Sequence, residues 1–285
     1  MPTRLQSKIA IITGSSSGLG RAIALAFALE GATIICADLR PEARPCPSLS
    51  PTISTSAPLL PTHDLLAAQG FTAIFITCDT TSSTSIQHLI ATTVSTYGRL
   101  DIMVNNAGVG LEGEGEGEKP VWEYDEHVFE RTMEVNIKGV FLGTKYASRQ
   151  MVKQDPVGEG EGGKGDKGWI INLSSIFGLV GKGGLAGYSA SKHAVLGITK
   201  SAALDCAPHN IHVNALCPGY TATAITARVF EPQAAEVKKV VDSRHPLKGM
   251  GAPEDVARAA VFLASEDAAW VTGVGLPVDG GYSCV

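Results

Sequence analysis

Tyr188 and Lys192 stand four residues apart in the run Tyr188-Ser189-Ala190-Ser191-Lys192, so a helix would place both on one face. A free phenol has a pKa of about 10, too weakly acidic to cycle its proton easily near neutrality. A nearby ammonium favours the phenolate, and each unit of lowering corresponds to about 1.4 kcal/mol. Such a pair could hand a proton to an alkoxide or take one from an alcohol. Alone, it equally fits a surface tyrosine beside a lysine stretched along apolar surface. Ser175, thirteen residues before the tyrosine in the pair Ser174-Ser175, changes the reading. A hydroxyl there would be a second donor to the same oxygen. The trio suits a carbonyl that becomes an alkoxide by gaining a hydride.

A second constellation lies upstream. Thr13-Gly14-Ser15-Ser16-Ser17-Gly18-Leu19-Gly20 joins an apolar run to a helical one. Glycines in such a turn let the backbone approach a pyrophosphate, which free N–H groups and the helix dipole then hold. The spacing is G-x-x-x-G-x-G, not the commoner G-x-G-x-x-G, and glycine-rich turns also arise for conformational reasons alone. Asp38 ends the next apolar run, eighteen residues after Gly20, where an acid can accept both ribose hydroxyls of NAD. A turn aspartate would look the same. The carboxylate would repel a 2′-phosphate, so NAD(H) is the expected dinucleotide. Arg40, two residues on, could compensate and leaves NADP(H) as the second choice.

These groups need a scaffold, and the chain supplies one. Short apolar runs alternate with longer helical ones, the rhythm of βαβ units on a parallel sheet. Expected strands are Ile9 to Thr13, Thr33 to Ala37, Thr72 to Thr77, Leu100 to Val104, Ile170 to Leu173, Ile211 to Leu216 and Gly275 to Val278. Expected helices are Leu19 to Glu30, Ile86 to Tyr97, one long helix from about Asp125 to Lys153, Tyr188 to Ala207, and one after Pro253. The Ala-, Ser- and Gly-rich helix from Tyr188 permits close packing on the sheet or on another subunit. Three stretches interrupt the rhythm, near 41–61, 111–118 and 156–168: one rich in Pro, Ser and Thr, two rich in Gly and Glu. The rhythm resumes after each, so residues 1–285 are expected to form a single domain.

Bulk properties narrow the class. The 285 residues are 44% hydrophobic with a formal net charge of −5, the balance of a globular protein without the basic stripe that nucleic acid needs. Six cysteines, Cys36, Cys46, Cys78, Cys206, Cys217 and Cys284, lack metal-ligand spacing and read as reduced. No metal is expected. Neither a signal peptide nor a membrane-length apolar run is evident, so the expectation is a cytoplasmic protein without membrane partners.

Taken together, Thr13 to Gly20, Asn105-Asn106-Ala107-Gly108, Asn136, Ser175, Tyr188-x-x-x-Lys192 and Pro218-Gly219-Tyr220-Thr221-Ala222-Thr223 resemble the short-chain dehydrogenase/reductase family. The resemblance runs from about Lys8 to Gly281, in order and at family-like spacing. It implies a Rossmann-type, doubly wound parallel sheet of about seven strands with helices on both faces, and a homo-oligomer, most often a tetramer. Tyr188 would then be the general acid/base. Lys192 would orient the nicotinamide ribose and tune the tyrosine, Ser175 would hold the carbonyl oxygen, and Asn136 would hold a water in the proton relay. Asn136 also fits a helix-kinking structural role. Dinucleotide contacts would come from Gly14, Ser16, Ser17, Gly18, Leu19 and Gly20, and from Asp38 with Leu39. Asp79 and Thr80 would face the adenine, and Asn106, Ala107 and Gly108 would lie beneath its ribose. Pro218, Gly219, Thr221 and Thr223 would face the carboxamide and pyrophosphate.

Substrate-facing positions after the fourth, fifth and sixth strands are Val109, Leu111, Phe177, Leu179, Leu185, Tyr220, Ile225, Val229 and Phe230, with Arg228 as a lone cation read as a solvated helix charge. That list suits a neutral, moderately hydrophobic alcohol or ketone, cyclic ones included, rather than a polyanion. Two rivals remain in view. An adenosylmethionine methyltransferase would share the glycine loop but leave Ser175, Tyr188 and Lys192 without work. A non-catalytic dinucleotide sensor would be free to lose the tyrosine or the lysine, and this chain keeps both. The two acidic glycine runs should differ by topology: Glu112 to Glu118 follows a strand and should reach the chemistry, whereas Gly158 to Gly168 precedes one and should emerge at the far edge.

Overall fold

Runs rich in isoleucine and valine prefer extended backbone, and here seven of them pair in one sheet. The computed structural model describes residues 3–43, 59–112, 118–157, 165–223, 226 and 234–284. The strands are Ile9–Thr13 (β1), Thr33–Asp38 (β2), Ala73–Thr77 (β3), Ile102–Asn105 (β4), Gly168–Leu173 (β5), Ile211–Pro218 (β6) and Gly275–Val278 (β7). All pairings are parallel, in the order β3-β2-β1-β4-β5-β6-β7. β1 pairs with β2 on one side and β4 on the other, so successive crossovers leave in opposite directions from that point. The loops after β1 and β4 therefore part, and the crevice between them is where open α/β sheets take ligands.

The helices are Gly18–Leu29 (α1), Thr62–Ala68 (α2), Ser83–Tyr97 (α3), Glu126–Met133 (α4), Gly139–Met151 (α5), Ala186–Cys206 (α6), Ala234–Arg244 (α7) and Pro253–Leu263 (α8). Alternation along the strands builds two cores. Ala10, Ile12, Ile34, Val104 and Ile171 face Ile23, Phe27, Val256 and Ala260 of α1 and α8. Ile9, Ile11, Ile35, Met103 and Ile170 face Ile86, Leu89, Ala147 and Ala203 of α3, α5 and α6. The doubly wound sheet with helices on both faces is as expected.

Two differences matter. The stretch expected as one helix from Asp125 to Lys153 is α4 and α5 joined by a π turn, Glu134–Lys138, which carries Asn136. Apolar spacing is nearly the same through a π turn, which adds only one residue to a single turn. Helices α2 and α7 fall where no helix was expected; α2 begins directly after the 41–61 interruption.

A buried polar chain braces the sheet behind the crevice. Asn105 Nδ2 donates to Asn172 Oδ1 at 2.8 Å and to Thr144 Oγ1 at 3.2 Å. Asn172 Nδ2 donates to Thr199 Oγ1 at 3.0 Å. This ties β4, β5, α5 and α6 together, and α6 carries Tyr188. The described cysteines, Cys36, Cys78, Cys206, Cys217 and Cys284, are unbridged. Among the described residues no helix is long and apolar enough to cross a membrane, and no cluster of side chains could hold a metal ion.

Candidate active site

The loops leaving the C-terminal ends of the strands enclose two adjoining spaces, and Tyr188 lines both. The larger is a cleft of about 1500 Å³, counting its open mouth. It runs from Gly14, Ser17, Gly18 and Leu19 past Asp38, Leu39, Asp79 and Thr80 to Asn106, Ala107, Gly108, Lys192 and Thr223. The smaller, about 630 Å³ on the same footing, is lined by Ser175, Ile176, Phe177, Leu185, Gly219, Tyr220, Glu112, Glu118 and Lys182.

Thr13 knits the cleft floor. Its Oγ1 accepts from the backbone N–H of Asn106 and Ala107 at 3.0 and 3.1 Å, and Asn106 Nδ2 donates to Thr13 O at 2.8 Å. The glycines divide into two kinds. A Cβ on Gly20 would sit 2.2 Å from Gly14 O, and one on Gly14 would sit 2.8 Å from Asn106 Nδ2, so both are needed for the loop to pack on itself. Gly18, with φ +51°, lines the cleft instead. Its helix begins without a side-chain cap, which leaves first-turn N–H groups free to meet an anion. Asp38 stands at the other flank, its carboxylate accepting from Ser16 N at 3.1 Å and Leu39 N at 2.8 Å. A helix N-terminus for phosphates and a carboxylate for ribose hydroxyls, lining one cleft, fit a dinucleotide. Ser16, Gly20, Asn136, Pro218 and Thr221 lie behind these surfaces rather than on them. Ser16 Oγ donates to Arg40 O at 2.6 Å, and Thr221 Oγ1 to Gly219 O at 3.2 Å.

At the junction the trio assembles. Ser175 caps the short turn Ile176–Gly178, its Oγ accepting from Phe177 N at 3.2 Å, so the hydroxyl hydrogen remains to donate. Ser174 is spent elsewhere, its Oγ donating to Lys192 O at 2.8 Å. Lys192 Nζ donates to Leu173 O at 2.8 Å and lies 5.5 Å from the centre of the Tyr188 ring. A Cβ on Gly108 would come within 3.5 Å of that ammonium, so the glycine keeps space open beside it. Burial pulls the Lys192 pKa down to about 8. Burial likewise pushes the Tyr188 phenol up to about 12, against a downward pull from the Ser175 hydrogen bond.

The Lys192 ammonium is thus anchored to the Leu173 carbonyl beside the Tyr188 ring. Asn136, in the π turn, accepts from Val109 N at 2.8 Å and donates to Val109 O at 2.9 Å and Ser191 Oγ at 3.1 Å. Both of its amide hydrogens are taken.

Of the expected substrate-facing residues, Phe177, Leu185 and Tyr220 line the smaller pocket, Val109 and Leu111 line the cleft, and Leu179 lines neither. Ile225, Arg228, Val229 and Phe230 lie outside the described residues, as do most of the three interruptions. The described ends of the acidic glycine runs separate as topology requires. Glu112 and Glu118 line the pocket, while Asp166 bonds His212 Nε2 at 3.0 Å beside the start of β6. Missed from sequence were Lys182 and Arg131, which reach these cavities only through the tertiary fold, and the burial of Glu112 within a run that topology had placed near the chemistry. Lys182 pairs with Glu118 across the pocket.

Comparison with known proteins bears on this arrangement. The family model described as "Enoyl-(Acyl carrier protein) reductase" matches residues 14–283. The chain is 35% identical to the 3beta-hydroxysteroid dehydrogenase 2 of Eggerthella lenta over 98% of its own length and 96% of that protein's. It superposes on a short-chain type dehydrogenase/reductase from Mycobacterium marinum with a TM-score of 0.81 and 31% identity, covering 100% of this chain and 98% of that one. It also superposes on a putative 2-deoxy-d-gluconate 3-dehydrogenase from Agrobacterium tumefaciens with bound NADP, TM-score 0.78 and 29% identity, covering 100% and 99%.

Proposed function

Since the chain belongs to the short-chain dehydrogenase/reductase family and is an NAD(P)-dependent enzyme acting on a CH–OH group, we propose that it interconverts a hydrophobic secondary alcohol, cyclic ones included, and its ketone through Ser175, Tyr188 and Lys192. The observation that carries this reading is the double exposure of Tyr188, to the long cleft and to an aromatic pocket that also holds Ser175.

A nicotinamide dinucleotide bound in the cleft supplies or accepts the hydride. The protein's part is to position and to move a proton. In the reducing direction Tyr188 Oη gives its proton to the developing alkoxide, and a phenol held protonated by burial is the form required. Ser175 Oγ donates to the same oxygen, its lone pair already fixed by Phe177 N. Lys192 holds positive charge at the ribose end of the cleft. Asn136 fixes Val109, and with it the loop after β4. Phe177 and Tyr220, edge to face at 5.8 Å, give the pocket an aromatic side. The Glu112 and Glu118 carboxylates would repel an anionic substrate.

Asp38 supports a preference for NAD(H), and a homotetramer is the assembly the family resemblance favours. The test is turnover of NADH and NADPH with a panel of cyclic ketones beside charged, open-chain ones of equal carbon count. Oxidation of NADH with the neutral cyclic members supports the proposal; activity confined to the anionic members overturns it.

A further inference from the structure

Glu112 begins a run of alternating glycine and glutamate that composition alone reads as solvated coil, yet it is only 5% exposed. Taking a carboxylate out of water is costly unless something in the fold compensates. The compensation is specific. One oxygen, Oε1, accepts from the backbone N–H of Tyr188 at 2.6 Å and from the hydroxyl of Tyr124. The other, Oε2, is buried and has no hydrogen-bond partner among the described residues. The helix receiving this contact has no cap of its own, because Leu185 occupies the N-cap position and offers no acceptor. Tyr188 N–H belongs to the first turn, where N–H groups lack intrahelical partners and negative charge is favoured.

Resting on the reading of Tyr188 as the acid/base, we infer that Glu112 is a positioning residue, a cap supplied from the loop after β4 that fixes the first turn of α6 and keeps a negative charge beside the reacting phenol. Tyr124 holds the carboxylate in register from the start of the α4 segment. The groups around the phenol are the Ser175 hydroxyl after β5, Tyr220 after β6, Lys192 on the same helix, and Glu112 itself; the paired Glu118 and Lys182 share the pocket. Burial dominates in raising the Tyr188 pKa, and the Glu112 charge pushes in the same direction. Glu112 therefore adds to burial in favouring the protonated phenol, as well as placing it.

The experiment compares wild type, Glu112→Ala and Glu112→Gln for kcat against pH, dinucleotide Kd and thermal unfolding. Glutamine retains an acceptor for Tyr188 N–H and loses the charge. Its kcat should stay within about threefold at the optimum while the ionisation limb moves down by roughly one pH unit, in either reaction direction. Alanine loses the cap as well, and kcat should fall about tenfold or more with dinucleotide Kd unchanged. Wild-type kcat and pH profile in both variants overturn the inference. Should the alanine variant not fold, the glutamine profile decides. Inactive Tyr188→Phe with wild-type-like Glu112 variants rejects the positioning role alone; active Tyr188→Phe rejects the acid/base reading beneath it.

Discussion

At the residue scale, the chemistry rests on how burial treats a few ionisable groups. Tyr188 is held as a neutral phenol by burial, which suits donation to an alkoxide; the same burial brings Lys192 down to about 8. For oxidation of the alcohol the sign reverses: the phenolate is needed, so the rate should climb as pH rises toward the tyrosine's ionisation. Asp38 is the second such residue. Replacing it by alanine removes the ribose-hydroxyl acceptor and the repulsion toward a 2′-phosphate, so the NADH over NADPH ratio of kcat/KM should fall by about tenfold or more. A wild-type enzyme that already prefers NADPH would contradict the assignment, and Arg40 would then be the residue to vary. These positions were legible in the sequence because each lies in a local pattern of fixed spacing. Glu112 was not, because its burial and its contact with Tyr188 join residues far apart in the chain, and a Gly-Glu run gives no local sign of an inward-facing member.

At the element scale, all seven strands were legible from short apolar runs, with no end displaced by more than two residues. The π turn at Asn136 was not, since a single added residue scarcely disturbs helical spacing. Nor was the bracing of β4, β5, α5 and α6 by Asn105, Thr144, Asn172 and Thr199. Asn172→Leu would strand the partners of a buried chain, costing about 1–3 kcal/mol by chemical denaturation. Because α6 loses its tie to the sheet, kcat should fall as well. Unchanged stability would show that the chain is dispensable. The acidic glycine runs give a second prediction at this scale. Shortening 158–165 should leave kcat/KM within about twofold, as for a surface change remote from the site. Shortening 112–118 removes residues that line the pocket and should change kcat or KM strongly for bulky substrates. Equal effects from the two deletions would defeat the topological argument.

At the scale of the molecule, two buried lysines shape stability against pH. Lys8 donates to Ala264 O at 2.9 Å under the Trp169 ring, and burial brings its pKa from 10.5 to about 8, as for Lys192. The folded chain thus releases these protons before the unfolded chain does. Their destabilising cost is full below pH 8 and is relieved as pH rises from 8 toward 10.5. Buried thiols act oppositely above pH 9, Cys217 being pushed up to about 11. Lys8→Met should therefore flatten the gain in stability between pH 8 and 9, read from denaturant midpoints; an identical slope would rule the lysine out as its source. Exposed Phe141 and the wholly exposed Trp270 leave apolar surface for the proposed assembly. Light scattering should give a multiple of 29.7 kDa, and a monomer at micromolar concentration would contradict it.

In the proposed reaction one phenol, shared by cleft and pocket, moves the proton. Tyr188→Phe removes a single oxygen and keeps the ring against Phe177. Steady-state turnover of NADH with a cyclic ketone, alongside dinucleotide titration, measures its effect directly. Dinucleotide Kd and thermal midpoint should stay unchanged, with kcat lowered by about two orders of magnitude or more. A folded variant that binds dinucleotide and keeps a sizeable share of wild-type turnover, roughly a third, would contradict it.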